Sequence, residues 1–279
     1  MTDLLRPRSH ITRLVGGVTV LCIGIDRDTN WAFDRTKEGW YNDIVKEALH
    51  TFPFATRLFV LLTVEMNGKI APASAFKQEP FCEELSLMTG AFADGVMLGK
   101  GDLAVSTSAD CQQVTLVFAD GRVLTFHAGL ECFLQTGNNS NGPFKVQGHN
   151  VLENALRSYG KRPGLRQVHI SCGIRSRYSF PLSHKVYGAA NLAMRTWCEV
   201  KYPNRPVFNL QLEELNMYEL IKAELMRLGV LEALITMDDI DTSSDVDEVG
   251  KYRWASNARQ AADGSTKLKQ RNLVIVARE

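Results

Sequence analysis

Runs of apolar residues divide the chain into many short strands and four helical segments. Runs rich in Val, Ile and Leu are typical of strands, and they occur at Val18–Ile25, Arg57–Val64, Gly95–Leu98, Leu103–Thr107, Gln113–Phe118, Val123–His127, Arg166–Ser171 and Leu273–Ala277. Apolar residues at helical spacing predict helices at Tyr41–His50, Asn150–Tyr159, Tyr187–Tyr202 and Leu212–Leu228. The last helix is the clearest, because Gly229 follows it in the position that glycine favours after a helix.

This mixture of strands and helices predicts one α+β domain, residues 1–279, of mixed β-sheets flanked by helices. No internal repeat or low-complexity linker divides the sequence. A chain of 279 residues buries a large enough core to fold without disulfides. Asp238–Glu248 holds six acidic residues, and we interpret it as a solvated loop in preference to a cation site.

The charge balance excludes some classes of partner. Lys and Arg number 32 against 31 Asp and Glu, a net charge of +1, so the sequence predicts binding to neither nucleic acid nor an anionic membrane. The longest apolar runs have the length of strands, and no apolar leader segment follows Met1–His10. The nearest two of the six cysteines, Cys111 and Cys132, lie 21 positions apart, so no C-x-x-C motif exists. These features predict a cytoplasmic protein with free thiols.

Cys111 and His127 are the first candidates for chemistry. Asp120–Gly121 separates two predicted strands and is typical of a hairpin turn. A hairpin closed there places Cys111 and His127 near its open end, within a few ångströms of each other. An imidazolium lowers the pKa of a neighbouring thiol, which predicts either a nucleophile or a metal ligand. The alternative is a core cysteine beside a hydrogen-bonded histidine.

The same region resembles a known family. The residues that carry the resemblance are Ala93–Gly95, Leu103–Val105, Ser108–Cys111 and Phe126–Gly129. In order, they resemble the pattern A-D-x-L…L-A-V-x-T-A-D-C-x-P-V…H-A-G-W-R-G of the laccase-domain family, also called polyphenol-oxidase-like, peptidoglycan editing factor or multifunctional purine nucleoside phosphorylase. Weaker matches follow at Val151–Ala155, His169–Arg175, Gly229–Val230, Tyr252–Arg253 and Arg271–Asn272.

The resemblance implies both a fold and a chemistry. It implies a single α+β domain and a site in which one Cys and two His bind zinc, with an open position for water or phosphate. Family members studied as phosphorylases split purine nucleosides with phosphate. Others are linked to the editing of cell-wall precursors or, in an older assignment, to copper-dependent phenol oxidation. The placement of Cys and His on this fold is also similar to that of thiol deamidase toxins.

The sequence departs from the family at the expected zinc site. Asn67 stands where the family has its first histidine ligand, and a neutral amide oxygen binds zinc poorly. We therefore expect zinc to be weakly bound or absent, unless His149 or Cys132 takes the place of the missing ligand. The family's Trp-Arg pair corresponds either to Leu130–Glu131 or, across an insertion at residues 130–150, to Phe144–Lys145. The second alignment keeps a cation for phosphate, and both remain open.

Other family positions are altered too. Arg27 is retained from an N-terminal S-T-R motif, whereas Asp241 replaces a late cysteine and Trp254 replaces the second arginine of S-Y-R-R. We expect Cys111, His127 and Arg253 to be catalytic. Arg271, Arg27 and Lys145 are expected to bind phosphate or ribose oxygens.

The resulting hypothesis is a purine nucleoside phosphorylase that acts on adenosine- or inosine-type nucleosides and phosphate. Two alternatives remain from the same residues. One is a degenerate binding or regulatory homologue that has lost the metal. The other is a metal-free thiol hydrolase, with Cys111 as nucleophile and His127 as base, acting on a cell-wall precursor or an amide.

Overall fold

The computed structural model describes residues 9–25, 31, 39, 41–63, 68–135, 145–146, 150–158, 164–175, 178–179, 181–183, 185, 188–256, 258–259 and 270–279. Its helices are α1 (Asn42–Thr51), α2 (Val151–Ser158), α3 (Gly188–Lys201) and α4 (Met217–Arg227), and short 3₁₀ turns span Ala73–Ala75, Leu130–Cys132 and Glu232–Leu234. Its strands are β1 (Ser9–Leu14), β2 (Val18–Ile23), β3 (Arg57–Val60), β4 (Ile70–Ala71), β5 (Lys77–Pro80), β6 (Ser86–Thr89), β7 (Gly95–Leu98), β8 (Asp102–Ser108), β9 (Gln112–Phe118), β10 (Val123–Ala128), β11 (Leu134–Gln135), β12 (Lys145–Val146), β13 (Leu165–Ile170), β14 (Tyr178–Ser179), β15 (Phe208–Asn209), β16 (Glu214–Leu215), β17 (Ile235–Met237) and β18 (Asn272–Arg278).

Two large mixed sheets form the centre of the fold. The first has the strand order β1-β2-β18-β8-β3-β6-β5, and the second has the order β17-β13-β9-β10-β7-β4. β3 runs parallel to both of its neighbours, and β17 and β4 pair in parallel with β13 and β7, while the other pairs in these sheets are antiparallel. Small sheets β11-β12 and β14-β16-β15 lie outside them.

The two large sheets pack face to face. Successive side chains of a strand point to opposite sides of its sheet. In β18, Val274 and Val276 therefore join a core cluster between the sheets, while Leu273 and Ile275 join a cluster on the outer face. β9 follows the same rule in the second sheet, where Val117 points inward and Leu116 outward. Both sheets contribute to one continuous inner core, as in an α+β domain.

Helices cover the outer face of each sheet. The buried face of α1, with Ile44, Val45 and Ala48, packs on the first sheet. Apolar residues of α2, α3 and α4 share a cluster with the outward side chains of β9, β10 and β13. The order of layers is helix, sheet, sheet, helices, which confirms the predicted class of β-sheets flanked by helices. No helix in the described ranges has both the length and the apolar character needed to cross a membrane.

The predicted helix Leu212–Leu228 begins five residues later than expected, at Met217. The reason is local: the Asn216 side chain accepts a hydrogen bond from the Glu219 backbone N–H at 3.1 Å and caps the helix there. Glu214 and Leu215 are then free to form β16. The predicted end is confirmed, because Gly229 adopts a φ of +87° directly after the helix.

The predicted strand Arg57–Val64 is also shorter, ending as β3 at Val60. The predicted insertion at residues 130–150 contains the 3₁₀ turn Leu130–Cys132, β11 and β12. Residues 136–144 and 147–149 lie outside the described residues. Its status as an insertion stays a prediction.

Glu224 ties the three helices of the outer layer together. Its fully buried carboxylate accepts hydrogen bonds from Asn150, from Tyr202 Oη at 2.9 Å and from Arg227 Nε at 2.7 Å, and Lys201 Nζ lies 3.3 Å away. Burial alone would raise the pKa of Glu224, but these partners lower it to about 2 from the usual 4.5. The carboxylate therefore stabilises the fold above about pH 4.5, and this contribution is lost as the pH falls towards 2.

We predict that Glu224→Gln lowers the free energy of unfolding by about 3 kcal/mol at pH 7, because it removes the buried charge that Tyr202, Lys201 and Arg227 contact. The loss of stability between pH 4.5 and 2 should shrink in the same variant. Urea unfolding across this pH range measures both effects. Glu199→Gln, which breaks the exposed pair of Glu199 with Arg195, is the control and should change stability by less than about 0.5 kcal/mol. Equal stability of the Glu224 and Glu199 variants would contradict the account.

Candidate functional site

A strained turn between β8 and β9 presents Cys111. Asp110 is fully buried and adopts a φ of +89°, a conformation that Asp tolerates better than most residues. Its carboxylate accepts hydrogen bonds from Thr242 Oγ1 at 2.8 Å and from the Ala258 backbone N–H at 2.7 Å. These contacts hold the turn against its strain, and Cys111 follows as a partly exposed free cysteine.

The predicted hairpin brings Cys111 beside His127. β9 and β10 pair antiparallel around Gly121, and their register sets Ala128 opposite Gln112. A Cβ atom on Gly129 would lie 2.8 Å from both Cys111 Sγ and His127 Cε1, and 3.2 Å from His127 Nε2. The Cys111 thiol and the His127 ring therefore border the same small space over Gly129, which agrees with the predicted proximity.

The Nδ1 atom of His127 faces two further polar groups. Nδ1 lies 3.8 Å from Asp94 Oδ1 and 3.7 Å from Cys132 Sγ. The His127 backbone N–H also donates to Asp94 O at 2.7 Å, so the β7–β10 pairing itself places Asp94 beside the ring. All three residues are buried. His127 therefore lies beside Cys111, and its Nδ1 atom faces Asp94 and Cys132.

The surroundings of His127 favour its protonated form. Burial alone would lower the pKa of His127, but the charge of Cys111 and the neighbouring side chains of Asp94 and Cys132 raise it well above the usual 6.5. Burial raises the pKa of Cys132, and its contact with His127 opposes this effect. In the absence of a bound ion, the pair of Cys111 and His127 can thus hold a proton on the imidazole at neutral pH.

The described residues do not supply the family's zinc ligand set. In the described ranges, the one set of three carboxylate, imidazole or thiol groups whose ligand atoms all lie within 4.8 Å of one another is Asp94, His127 and Cys132. This buried group can hold a metal ion, and Cys111 is not part of it. Asn67 and His149, at the expected third ligand and its substitute, lie outside the described residues.

The predicted phosphate-binding residues are only partly placed. Asn272 in β18 pairs with Ser108 in β8, three residues before Cys111. Arg271 precedes Asn272 and therefore lies at the same end of the first sheet as Cys111. Asn272 also exchanges two hydrogen bonds with the Ala255 backbone, at 2.7 and 2.9 Å, and so brings the segment of Arg253 to the same end. The Arg253 Nε atom is buried and has no hydrogen-bond partner within the described part of the chain.

Arg27 lies outside the described residues, and so does the side chain of Lys145, whose backbone belongs to β12. Asp241, at the position of the family's late cysteine, hydrogen-bonds to Ser243 and Ser244 in its own loop. Trp254 is buried in the inner core. Neither residue takes part in the contacts around His127.

Sequence reasoning missed Asp94 as a site residue and gave Cys132 little weight. Asp94 belongs to the A-D motif of the family pattern, and this match could have marked it as a site residue. Cys132 carried no such signal, since a single cysteine five positions after His127 fits many structures. The polar ladder on the inner faces of β8, β9 and β10 was missed too: Ser106 donates to Gln113 at 3.0 Å, and Gln113 donates to Thr125 at 2.8 Å.

Comparison with solved structures shows the fold. No protein-family model and no curated protein matches the sequence. Among solved structures, the chain is similar to hypothetical protein YfiH of Bacillus licheniformis (TM-score 0.55, 14% identity, covering 94% of this chain and 93% of the other) and to NMB0706 of Neisseria meningitidis, family DUF152 (0.56, 14%, 98% and 99%). It is also similar to YlmD of Geobacillus stearothermophilus (0.56, 18%, 94% and 92%). The chain therefore has the laccase-domain fold over nearly its whole length.

Gly129 offers a direct test of the contact between Cys111 and His127. We predict that Gly129→Ala slows alkylation of Cys111 by iodoacetamide about tenfold, because the new methyl group occupies the space that sulfur and imidazole share. The rate is measured by mass spectrometry in a Cys82→Ser background, since Cys82 is exposed and would react too.

Gly164→Ala is the matched control, because a Cβ there meets only Ala119 Cβ at 3.9 Å. It should leave the alkylation rate unchanged. Equal rates for the Gly129 and Gly164 variants would contradict the proposed contact.

Proposed function

We infer that this chain is a divergent member of the laccase-domain family, and we propose that it cleaves purine nucleosides with phosphate at a site formed around Cys111. The observation that carries the proposal is the contact between Cys111 and His127 within this fold. Those residues stand in the S-A-D-C and H-A-G motifs on which the resemblance rests. Adenosine and inosine are the proposed substrates.

Arg253 and Arg271 are the proposed phosphate-binding residues. Guanidinium groups suit phosphate because their planar N–H groups donate two parallel hydrogen bonds. The buried, unpartnered Nε of Arg253 supports this role, since a bound anion would satisfy it. Placement of both backbones at the Cys111 end of the first sheet supports it as well. Arg27 and Lys145 remain candidates for the same role.

The reaction itself needs an oriented phosphate and a stabilised leaving purine. Phosphate attacks C1′ of the ribose as the glycosidic bond breaks, and the bonding electron pair leaves with the purine, which must gain a proton. Cys111 is the partly exposed member of the pair and is therefore the one that can contact the substrate, while His127 behind it holds a proton. Zinc bound to the family's ligand set would polarise a bound oxygen. Because Asn67 replaces the family's first histidine ligand and a neutral amide oxygen binds zinc poorly, we assign the chemistry to Cys111, His127 and the arginines.

The first test is phosphorolysis by the purified protein. We expect inosine or adenosine with phosphate to yield ribose 1-phosphate and free base, and Cys111→Ala to lower kcat at least about 100-fold. Product formation is followed by chromatography. Retention of full activity in Cys111→Ala would contradict the assigned role.

Arg253→Ala should raise the KM for phosphate about tenfold without a change in Tm, because the arginine is proposed to bind substrate. Arg122→Ala is the matched control, since Arg122 lies in the hairpin turn at the other end of β10. A large drop in Tm with an unchanged KM would make Arg253 a structural residue.

A metal-free thiol hydrolase is the second candidate. The spatial arrangement of Cys111, His127 and Asp94 favours this candidate. A nucleophile, a base and a carboxylate beside the base are the parts of a thiol-hydrolase triad, and Asp94 lies beside His127 Nδ1. Its substrate would be an amide or a cell-wall precursor. An acyl group trapped on Cys111, seen by intact-mass spectrometry, would favour this candidate over phosphorolysis. Nucleoside binding without either product would favour the degenerate binding protein.

A further inference from the structure

The Nδ1 edge of His127 has the composition and spacing of a metal site. Zinc binds thiolate at about 2.3 Å, imidazole at about 2.0–2.1 Å and carboxylate at about 2.0–2.2 Å, so ligand atoms of a tetrahedral site lie roughly 3.3–3.6 Å apart. His127 Nδ1 lies 3.7 Å from Cys132 Sγ and 3.8 Å from Asp94 Oδ1. Small side-chain movements would bring all three atoms to bonding distance of one ion.

The carboxylate of Asp94 provides a second, independent indication of a metal site. One oxygen, Oδ2, accepts a hydrogen bond from the Gly68 backbone N–H at 2.7 Å, which fixes the carboxylate. The other, Oδ1, is the oxygen nearest His127 Nδ1, and it is buried without any hydrogen-bond partner in the described part of the chain. A buried carboxylate oxygen without a partner is costly and calls for an explanation, such as a bound cation.

Cys132, in the turn that follows β10, is the third ligand of the candidate metal site. The 3₁₀ turn Leu130–Cys132 begins directly after Gly129, and its backbone hydrogen bond from Cys132 N to Gly129 O, at 3.0 Å, holds the cysteine close to His127. The side chain is fully buried, so its thiol is shielded from solvent. One carboxylate and one thiolate would together neutralise a divalent ion, which lowers the cost of burying its charge.

We propose that this chain binds a zinc-type divalent ion through Asp94, His127 Nδ1 and Cys132, and not through Cys111. The site joins the start of β7, the end of β10 and the turn after it. Because its ligands come from three segments, the bound ion would hold these segments together. Cys111 is not a ligand, so its thiol would remain free of metal. The inference goes beyond the proposed function, since it holds whether or not the chain cleaves nucleosides.

Zinc content of purified variants tests the proposal. The full chain is loaded with zinc, dialysed against a mild chelator and measured by elemental analysis. We expect one zinc per chain in the wild type and in Cys111→Ser, and at least about tenfold lower zinc affinity in Cys132→Ser and Asp94→Asn. Cys82→Ser removes an exposed cysteine that is not one of the proposed ligands, so this control should keep its zinc. Loss of zinc in Cys111→Ser with retention in Cys132→Ser would overturn the assignment, as would a wild-type protein that binds no zinc.

Cobalt substitution covers the case in which Cys132→Ser fails to fold. Thiolate bound to Co²⁺ gives a charge-transfer absorption band. We expect this band in the Cys111→Ser protein, where Cys132 is the remaining thiolate of the two beside His127. Its absence from Cys111→Ser and presence in the wild type would assign the thiolate ligand to Cys111 and overturn the proposal. Neither measurement uses catalytic activity, so failure of the proposed reaction and failure of this inference are distinguishable.

Discussion

The placement of His127 among three polar side chains is the constraint on which the site depends. Cys111 lies beside the ring, and Asp94 and Cys132 lie at its Nδ1 atom. Each contact comes from a different backbone feature: the strained turn at Asp110, the pairing of β7 with β10, and the 3₁₀ turn after Gly129. A single buried imidazole therefore links a partly exposed thiol to a fully buried polar cluster.

The sandwich of two sheets explains why these polar groups lie inside the protein. His127 shares the inward face of β10 with Val123 and Thr125, so its ring points into the layer between the sheets. A buried polar layer is stable only where its groups satisfy one another, and the ladder from Ser106 through Gln113 to Thr125 does so. The unpartnered oxygen of Asp94 is the exception beside this ladder, and it marks the point where a ligand would matter most.

Local signals predicted the central part of the fold and of the site. The Asp120–Gly121 turn predicted the hairpin, and the hairpin predicted the contact between Cys111 and His127. Local patterns could not place Asp94, because its approach to His127 depends on the pairing of β7 with β10 and not on neighbours in sequence. Helix α4 shows the same limit at short range: the apolar pattern extends back to Leu212, but the Asn216 cap sets the start. Strands of two residues, such as β14 and β15, are too short to show an alternation of apolar and polar residues, so the sequence could not predict them.

In this chain, two roles that the family resemblance combines in one zinc site fall on different residues around His127. Cys111 is partly exposed, whereas Asp94 and Cys132 are buried and suit an ion. A crystal structure of the zinc-loaded protein, with anomalous diffraction at the zinc edge, tests this separation most directly. We predict an anomalous peak at bonding distance from His127 Nδ1 and Cys132 Sγ, and none at bonding distance from Cys111 Sγ. A peak bonded to Cys111 Sγ and His127 Nε2 would contradict the assignment.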